Sequence, residues 1–204
     1  MRVVLGVALV GLVACVGCGR EPGFSQEEAV AAIEALGGYV SVDKNGAAWA
    51  VRFGDTKDTD AVLIHLKGLT KLSHLHLDST KVTDAGLVHL NELTNLELLD
   101  LYQTKITDAG LEHLKGLTNL QTLRLYQTKV TDAGLSHLKG LRKLKWLSLY
   151  DTKITDAGLV HLKGLTNLEK LDLTDTNVTD VGIKKLQKAL PNCAMGNGSI
   201  TPTR

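Results

Sequence analysis

Tyr102, Tyr126 and Tyr150 stand 24 residues apart, and a histidine series, His65, His89, His113, His137 and His161, keeps the same interval. Lysines (Lys57, Lys81, Lys105, Lys129, Lys153) and aspartates (Asp60, Asp84, Asp108, Asp132, Asp156) form two further series at that spacing. Side chains repeated at a fixed interval become columns once the units stack. A tyrosine column offers stacking surfaces, an imidazole column suggests metal ligation, and a lysine column suggests an anion site. No nucleophile–base pair, glycine-rich phosphate loop or metal-ligand motif stands in the chain. An enzyme is therefore not expected, and neither a cofactor nor a resident metal.

The columns depend on a frame. Leu72, Leu96, Leu120, Leu144 and Leu168 each open a block of 24 residues, and Ala48 opens a weaker one in the same register. Numbered within a block, position 4 reads Val51, Leu75, Leu99, Leu123, Leu147, Leu171, and position 6 reads Phe53, Leu77, Leu101, Leu125, Leu149, Leu173. Position 9 is threonine throughout: Thr56, Thr80, Thr104, Thr128, Thr152, Thr176. Aliphatic residues follow at positions 11, 16, 19 and 22, as in Val82, Leu87, Leu90 and Leu93.

Two periods follow from this pattern. Positions 4 and 6 alternate and point to one side of a short strand, whereas 16 and 19 share one face of a short helix. Thr-Asp at positions 12 and 13 supplies an N-cap and a first-turn acid. Glycine at position 21 (Gly116, Gly140, Gly164) can end the helix. One such unit cannot bury its leucines alone, but stacked units can, at roughly 1.5–3 kcal/mol per leucine. Parallel strands stack about 4.8 Å apart and packed helices about 8–10 Å, so the stack curves with its strands inside. The position-9 hydroxyl is expected to bond to the backbone of the turn.

On the concave face the outward positions are 3, 5, 7 and 8. The tyrosines fill position 7, with offset stacking expected between neighbours. Trp146 at position 3 lies nearby, and Gln103, Gln127, Asp151 and Asp175 at position 8 flank the column. This set is the expected binding surface for a protein or peptide. A carbohydrate ligand, or a spacer that inherits its tyrosines by duplication and binds nothing, are the alternatives. The position-18 histidines fall on successive convex helices, too far apart to share one ion, and read as half-exposed structural residues. His74-x-His76 lacks a third ligand of the same kind. The position-10 lysines and position-13 aspartates are expected to neutralise one another along a solvated edge. Six concave aspartates (Asp55, Asp78, Asp100, Asp151, Asp172, Asp175) face Arg52, Arg124 and Lys170, a bias against nucleic acid and towards a cationic partner. Asp151, Asp172 and Asp175 could attract calcium but lack the spacing of a dedicated loop.

The blocks, with Thr83–Leu87, Thr107–Leu111, Thr131–Leu135 and Thr155–Leu159 reading Thr-Asp-Ala-Gly-Leu, resemble bacterial leucine-rich repeats of 24 residues. The resemblance covers about residues 47–191. It implies an α/β solenoid: a curved horseshoe arc with a parallel concave sheet and short convex helices. It implies a habit of binding rather than an activity.

The ends have their own signals. Met1-Arg2 precedes the apolar run Val3–Val13, the form of a secretory signal. Leu12-Val13-Ala14-Cys15 resembles a lipobox, making Cys15 the candidate lipidated residue, with Cys18 closing a poorer copy. Residues 1–14 are then a signal peptide and 15–24 a lipidated tether to the cell envelope, facing periplasm or exterior. Cleavage would remove Arg2 from the 23 basic residues and match the 22 acidic ones. Ser25-Gln26-Glu27-Glu28 has capping-box form and Asn45-Gly46 a tight-turn form. Residues 25–47 thus read as a helix-plus-hairpin cap, 48–191 as six repeats, and 192–204 as a final strand and tail with a buried Cys193. The weaker first block carries Asp58 at position 11 and Val62 at position 15. With aromatics at 4% against 44% hydrophobic residues, the core must be aliphatic.

Overall fold

A computed structural model of the 204-residue chain describes residues 25–53 and 59–196. The signal, the tether with Cys15 and Cys18, and the segment holding Asp55, Lys57 and Asp58 lie outside the described residues. Helix α1 (Gln26–Ala35) starts on the expected capping box: the Ser25 hydroxyl accepts from the Glu28 N–H while the Glu28 carboxylate accepts from the Ser25 N–H. Strand β1 (Gly38–Val42) turns back antiparallel on β2 (Ala48–Phe53). Asp43 organises the turn by accepting from the N–H groups of Asn45 and Ala47, and Gly46 takes the left-handed backbone (φ 78°) that the turn requires.

From β2 onwards the sheet is parallel, in the order β1 to β8. Its strands are β3 (His74–His76), β4 (Leu98–Asp100), β5 (Thr122–Arg124), β6 (Trp146–Ser148), β7 (Lys170–Asp172) and β8 (Ala194–Gly196). Register never slips: Leu75 pairs with Leu99, Leu99 with Leu123, Leu123 with Leu147, and Leu147 with Leu171. Between strands the chain makes short helical turns: α2 (Thr59–Val62), α3 (Asp84–Leu87), α4 (Asp108–Glu112) and α5 (Asp132–Leu135). Most pass into a 3-10 turn such as Ser136–Gly140, and the fifth repeat has a 3-10 turn alone, Gly158–His161. Only the last repeat has a longer helix, α6 (Asp180–Gln187). Leucines at positions 1, 4, 6, 16, 19 and 22 fill one continuous core, nearly all fully buried.

The glycine at position 21 does not end its helix in the expected way. Gly116, Gly140 and Gly164 have no left-handed backbone; the positive-φ residues of the repeats are Ser79, Gln103, Gln127, Asp151 and Asp175, all at position 8 (φ 49–59°). There the chain swings out of the strand, and the position-9 threonine hydroxyl closes the turn, as expected. Thr80, Thr104, Thr128, Thr152 and Thr176 each donate to the carbonyl three residues back at 2.6–2.7 Å.

The threonines stand at the N-cap and the aspartates in the first turn, as expected, but the expected pairing of these aspartates with lysines needs correction. Asp60, Asp84, Asp108, Asp132 and Asp156 do not serve chiefly to neutralise lysines. Each carboxylate reaches into the following repeat and accepts both the N–H and the hydroxyl of its position-12 threonine: Thr83, Thr107, Thr131, Thr155 and Thr179. The distances are 2.7–2.8 Å from nitrogen and 2.5–2.7 Å from oxygen. The threonine is thus spent mainly as a donor, although Thr107, Thr155 and Thr179 also accept a backbone N–H at the start of their own helical turns. Position 15 must be glycine because a Cβ on Gly86, Gly110, Gly134, Gly158 or Gly182 would collide with the same carboxylate. Val62 is tolerated at that position in the first repeat because no repeat precedes it to send an aspartate there. A second ladder joins the repeats where Asn95, Asn119 and Asn167 donate to the carbonyls of Thr70, Thr94 and Arg142.

The bonds from Thr179 hold the Asp156 carboxyl below the ordinary aspartate range, the backbone N–H contributing most. A carboxyl lowered on folding contributes stability above its unfolded pKa and loses it as pH falls through the lowered value. This terminal clamp is therefore complete at neutral pH and opens in acid.

Two glycines in one repeat family separate the clamp from ordinary helix propensity. Gly134→Ala must displace Asp108 and is expected to cost about 2–4 kcal/mol, since hydrogen bonds to charged groups are worth about 1.5–3 kcal/mol each. Gly164→Ala meets no atom within 4 Å and should be neutral or stabilising by up to about 1 kcal/mol. Urea unfolding of the two variants measures the difference.

Candidate functional site

On the strand face, position 7 carries Asp78 and then Tyr102, Tyr126 and Tyr150 on successive repeats. All three tyrosines are half-buried. Tyr102 and Tyr126 stack with ring centroids 4.0 Å apart and planes at 14°, as expected. Tyr126 and Tyr150 depart from that expectation: their centroids are 6.3 Å apart and the planes meet at 64°. The Tyr150 hydroxyl faces the Asp175 carboxylate of the next repeat and donates to it. That bond stabilises the neutral phenol and, with the charge of Asp175, raises the Tyr150 pKa. Tyr126 is raised as well, first by burial and then by the charge of Asp100.

Position 8 flanks the column as expected, but its backbone was not foreseen. Gln103, Gln127, Asp151 and Asp175 all take left-handed φ angles (55°, 56°, 49° and 56°). This region is sparsely occupied by residues other than glycine, although aspartate tolerates it better than most. The side chains link along the stack: Ser79 donates to Gln103 at 3.3 Å, and Gln127 to Asp151 at 3.2 Å.

Trp146 belongs to a different group. Arg124 lies 4.6 Å from the centre of its indole and Lys170 5.0 Å, so the ring sits between two cations. Arg124 also pairs with Asp100 at 2.9 Å, and Asp100 is almost wholly buried, accepting the Tyr102 N–H as well. Asp78 pairs with Arg52 at 3.3 Å. Among the described residues, the two concave aspartates nearest the N-terminal cap are thus matched by arginines. Asp172 receives the Thr174 N–H and the Ser148 hydroxyl, Asp151 receives Gln127, and Asp175 receives Tyr150. Among the described residues none of these three has an ion pair, so the C-terminal half of the face is net acidic.

Asp151, Asp172 and Asp175, which lack the spacing of a calcium loop, do not bring three ligand atoms together. The described residues do so elsewhere, at His76, Asp78 and Asp100. Sequence reading paired His76 with His74 instead. His74 turns away to hydrogen-bond Ser73 at 2.9 Å and meets Trp49 edge-on at 5.3 Å. The available signal was that His76 and Asp100 share position 5 in neighbouring blocks. Burial lowers the His76 pKa. The position-18 histidines are half-buried on the helical flank, and burial likewise lowers His65 and His89. Cys193 is buried, and its thiol is pushed up to about 11.

Comparison with known proteins agrees with this geometry. Two leucine-rich-repeat family models match the chain, one over residues 118–178 and the other over residues 68–90. The matched segments fit leucine-rich-repeat models. The crystal structure of internalin C2 from Listeria monocytogenes aligns with a TM-score of 0.58 and 25% identity, over 85% of this chain and 86% of that one. A second Listeria monocytogenes internalin, inlF, aligns with a TM-score of 0.54 and 19% identity. There 84% of this chain covers 55% of the other, about half its length. Sequence comparison with curated proteins returned no match. The fold is a leucine-rich-repeat solenoid, an open sheet lined by short helices.

The Tyr150–Asp175 bond can be read directly. Asp175→Asn removes the charge that favours the neutral phenol, so the Tyr150 pKa should fall back towards the ordinary tyrosine value. An ultraviolet difference titration of the ionising phenolate, with Tyr150→Phe identifying the affected ring, measures it.

Proposed function

We propose that this chain is a non-catalytic recognition module that binds a protein or peptide ligand along its concave face. The observation that carries this reading is the column of Tyr102, Tyr126 and Tyr150, held rigid by leucine-packed strands and bordered by acids without cationic partners. Tyrosine supplies large contact area at low conformational cost. Asp151, Asp172 and Asp175 favour a ligand segment bearing lysine or arginine, through charge complementarity. The same acidity disfavours nucleic acid. The leucine-rich-repeat fold and its likeness to the internalin structures support an interaction module.

A glycan is served less well, because Tyr102 and Tyr126 cover one another's faces at 4.0 Å and a sugar needs an open ring face. The protein is exported and held in the bacterial cell envelope by a lipid on Cys15, facing periplasm or exterior. The lipobox-like run before Cys15 motivates that placement. No helix among the described residues is long and apolar enough to cross a membrane.

A photo-cross-linker placed at Gln127 on the concave face should capture a defined ligand in cells, whereas one at Glu112 on the convex side should not. Replacing Tyr102, Tyr126 and Tyr150 with alanine should weaken binding of that purified ligand at least about thirtyfold, the scale of a hot-spot cluster, with circular dichroism unchanged. Equal capture from both faces, or undiminished affinity, would refute the concave surface and leave the spacer alternative.

Anchoring is tested separately by fractionation. Cys15→Ala should move the protein out of the membrane fraction and abolish fatty-acid labelling; retention of both by that variant rules out Cys15 as the anchor.

A further inference from the structure

His76 and Asp100 are registered partners on β3 and β4. Both occupy position 5, so their side chains leave the same face of the sheet, and Asp78 follows His76 by two residues on that face. An imidazole nitrogen and one oxygen from each carboxylate lie within 4.8 Å of one another. We propose that His76, Asp78 and Asp100 form a binding site for a divalent transition-metal ion of the zinc class on the concave face. The site adjoins the N-terminal end of the tyrosine column, Asp78 preceding Tyr102 at position 7, and does not depend on the protein-binding reading.

The donors have capacity to spare. The Asp78 Oδ1 is buried and accepts no hydrogen bond, while its Oδ2 receives Arg52. Asp100 uses Oδ1 for the Tyr102 N–H and Oδ2 for Arg124, and each carboxylate oxygen retains a second lone pair. Ligands about 2.0–2.2 Å from a tetrahedral ion stand about 3.4 Å from each other. Rotation of the two less buried side chains, His76 and Asp78, closes the remaining gap. One nitrogen with two oxygens selects zinc, cobalt or nickel over calcium, which takes six to eight oxygens. Three protein ligands also leave a coordination position open towards the concave side, where a donor from a bound molecule can complete the shell.

Arg52 and Arg124 compete for the same carboxylates and repel an incoming cation. The ion is therefore held modestly, and more firmly when a guanidinium is removed. Arg52 is the better test, its side chain being 63% exposed against 28% for Arg124.

The full chain, stripped with chelator, is titrated with Zn²⁺ by calorimetry and with Co²⁺ by visible absorption. One equivalent should bind. His76→Ala and Asp78→Asn should each weaken it at least about tenfold, His74→Ala on the same strand should change it less than twofold, and Arg52→Gln should tighten it severalfold. Circular dichroism checks that each variant is folded, and the two ligand variants together guard against loss of fold in one. Absence of stoichiometric binding, equal losses in His74→Ala and His76→Ala, or abolition by His137→Ala on the convex side would overturn the site.

Discussion

Each repeat of this solenoid is locked to the next by a carboxylate that it does not use itself. The position-13 aspartate leaves its own helical turn, accepts two hydrogen bonds from the following threonine, and occupies the space where the next position 15 would carry a Cβ. Threonine, aspartate and glycine in the Thr-Asp-Ala-Gly-Leu run are therefore parts of one joint divided between two units. Leucine burial supplies most of the driving force for stacking, but it is non-directional. The clamp fixes how far one rung is displaced from another, and the unbroken register of the parallel strands follows.

That regularity is what makes columns on the strand face. Tyrosines one repeat apart come within stacking distance only because their strands neither slip nor fan unevenly. The left-handed residue at position 8 has a related role: it turns the chain outward at a constant point and presents a polar side chain beside each tyrosine. The position-9 threonine then closes the turn from within. A face built this way is rigid before any ligand arrives, so ordering costs little on binding.

Identical backbones do not make identical surroundings. Tyr102 and Tyr126 stack, whereas Tyr150 meets Tyr126 edge-on beside Asp175. Asp100 is buried against Arg124, yet Asp172, at the same position three repeats on, meets only neutral donors. Polarity therefore changes along the face, from matched charges beside the N-terminal cap to a net acidic surface near β7.

The repeat length, the alternation at positions 4 and 6, the aliphatic core, the capping box at Ser25 and the position-9 threonine bond were all readable from residue types, because each rests on contacts within a unit or on a period that stacking must respect. The tyrosine column was readable for the same reason. The aspartate clamp, the left-handed position 8, the placing of Trp146 between Arg124 and Lys170, and the meeting of His76 with Asp78 and Asp100 were not. Each of these depends on side-chain direction or contact across a boundary between repeats, where residues 23 or 24 apart in the chain become neighbours. Local pattern specifies a rung, and the contacts between rungs decide what its polar groups do, since a buried carboxylate takes whichever donors the stacking brings within reach.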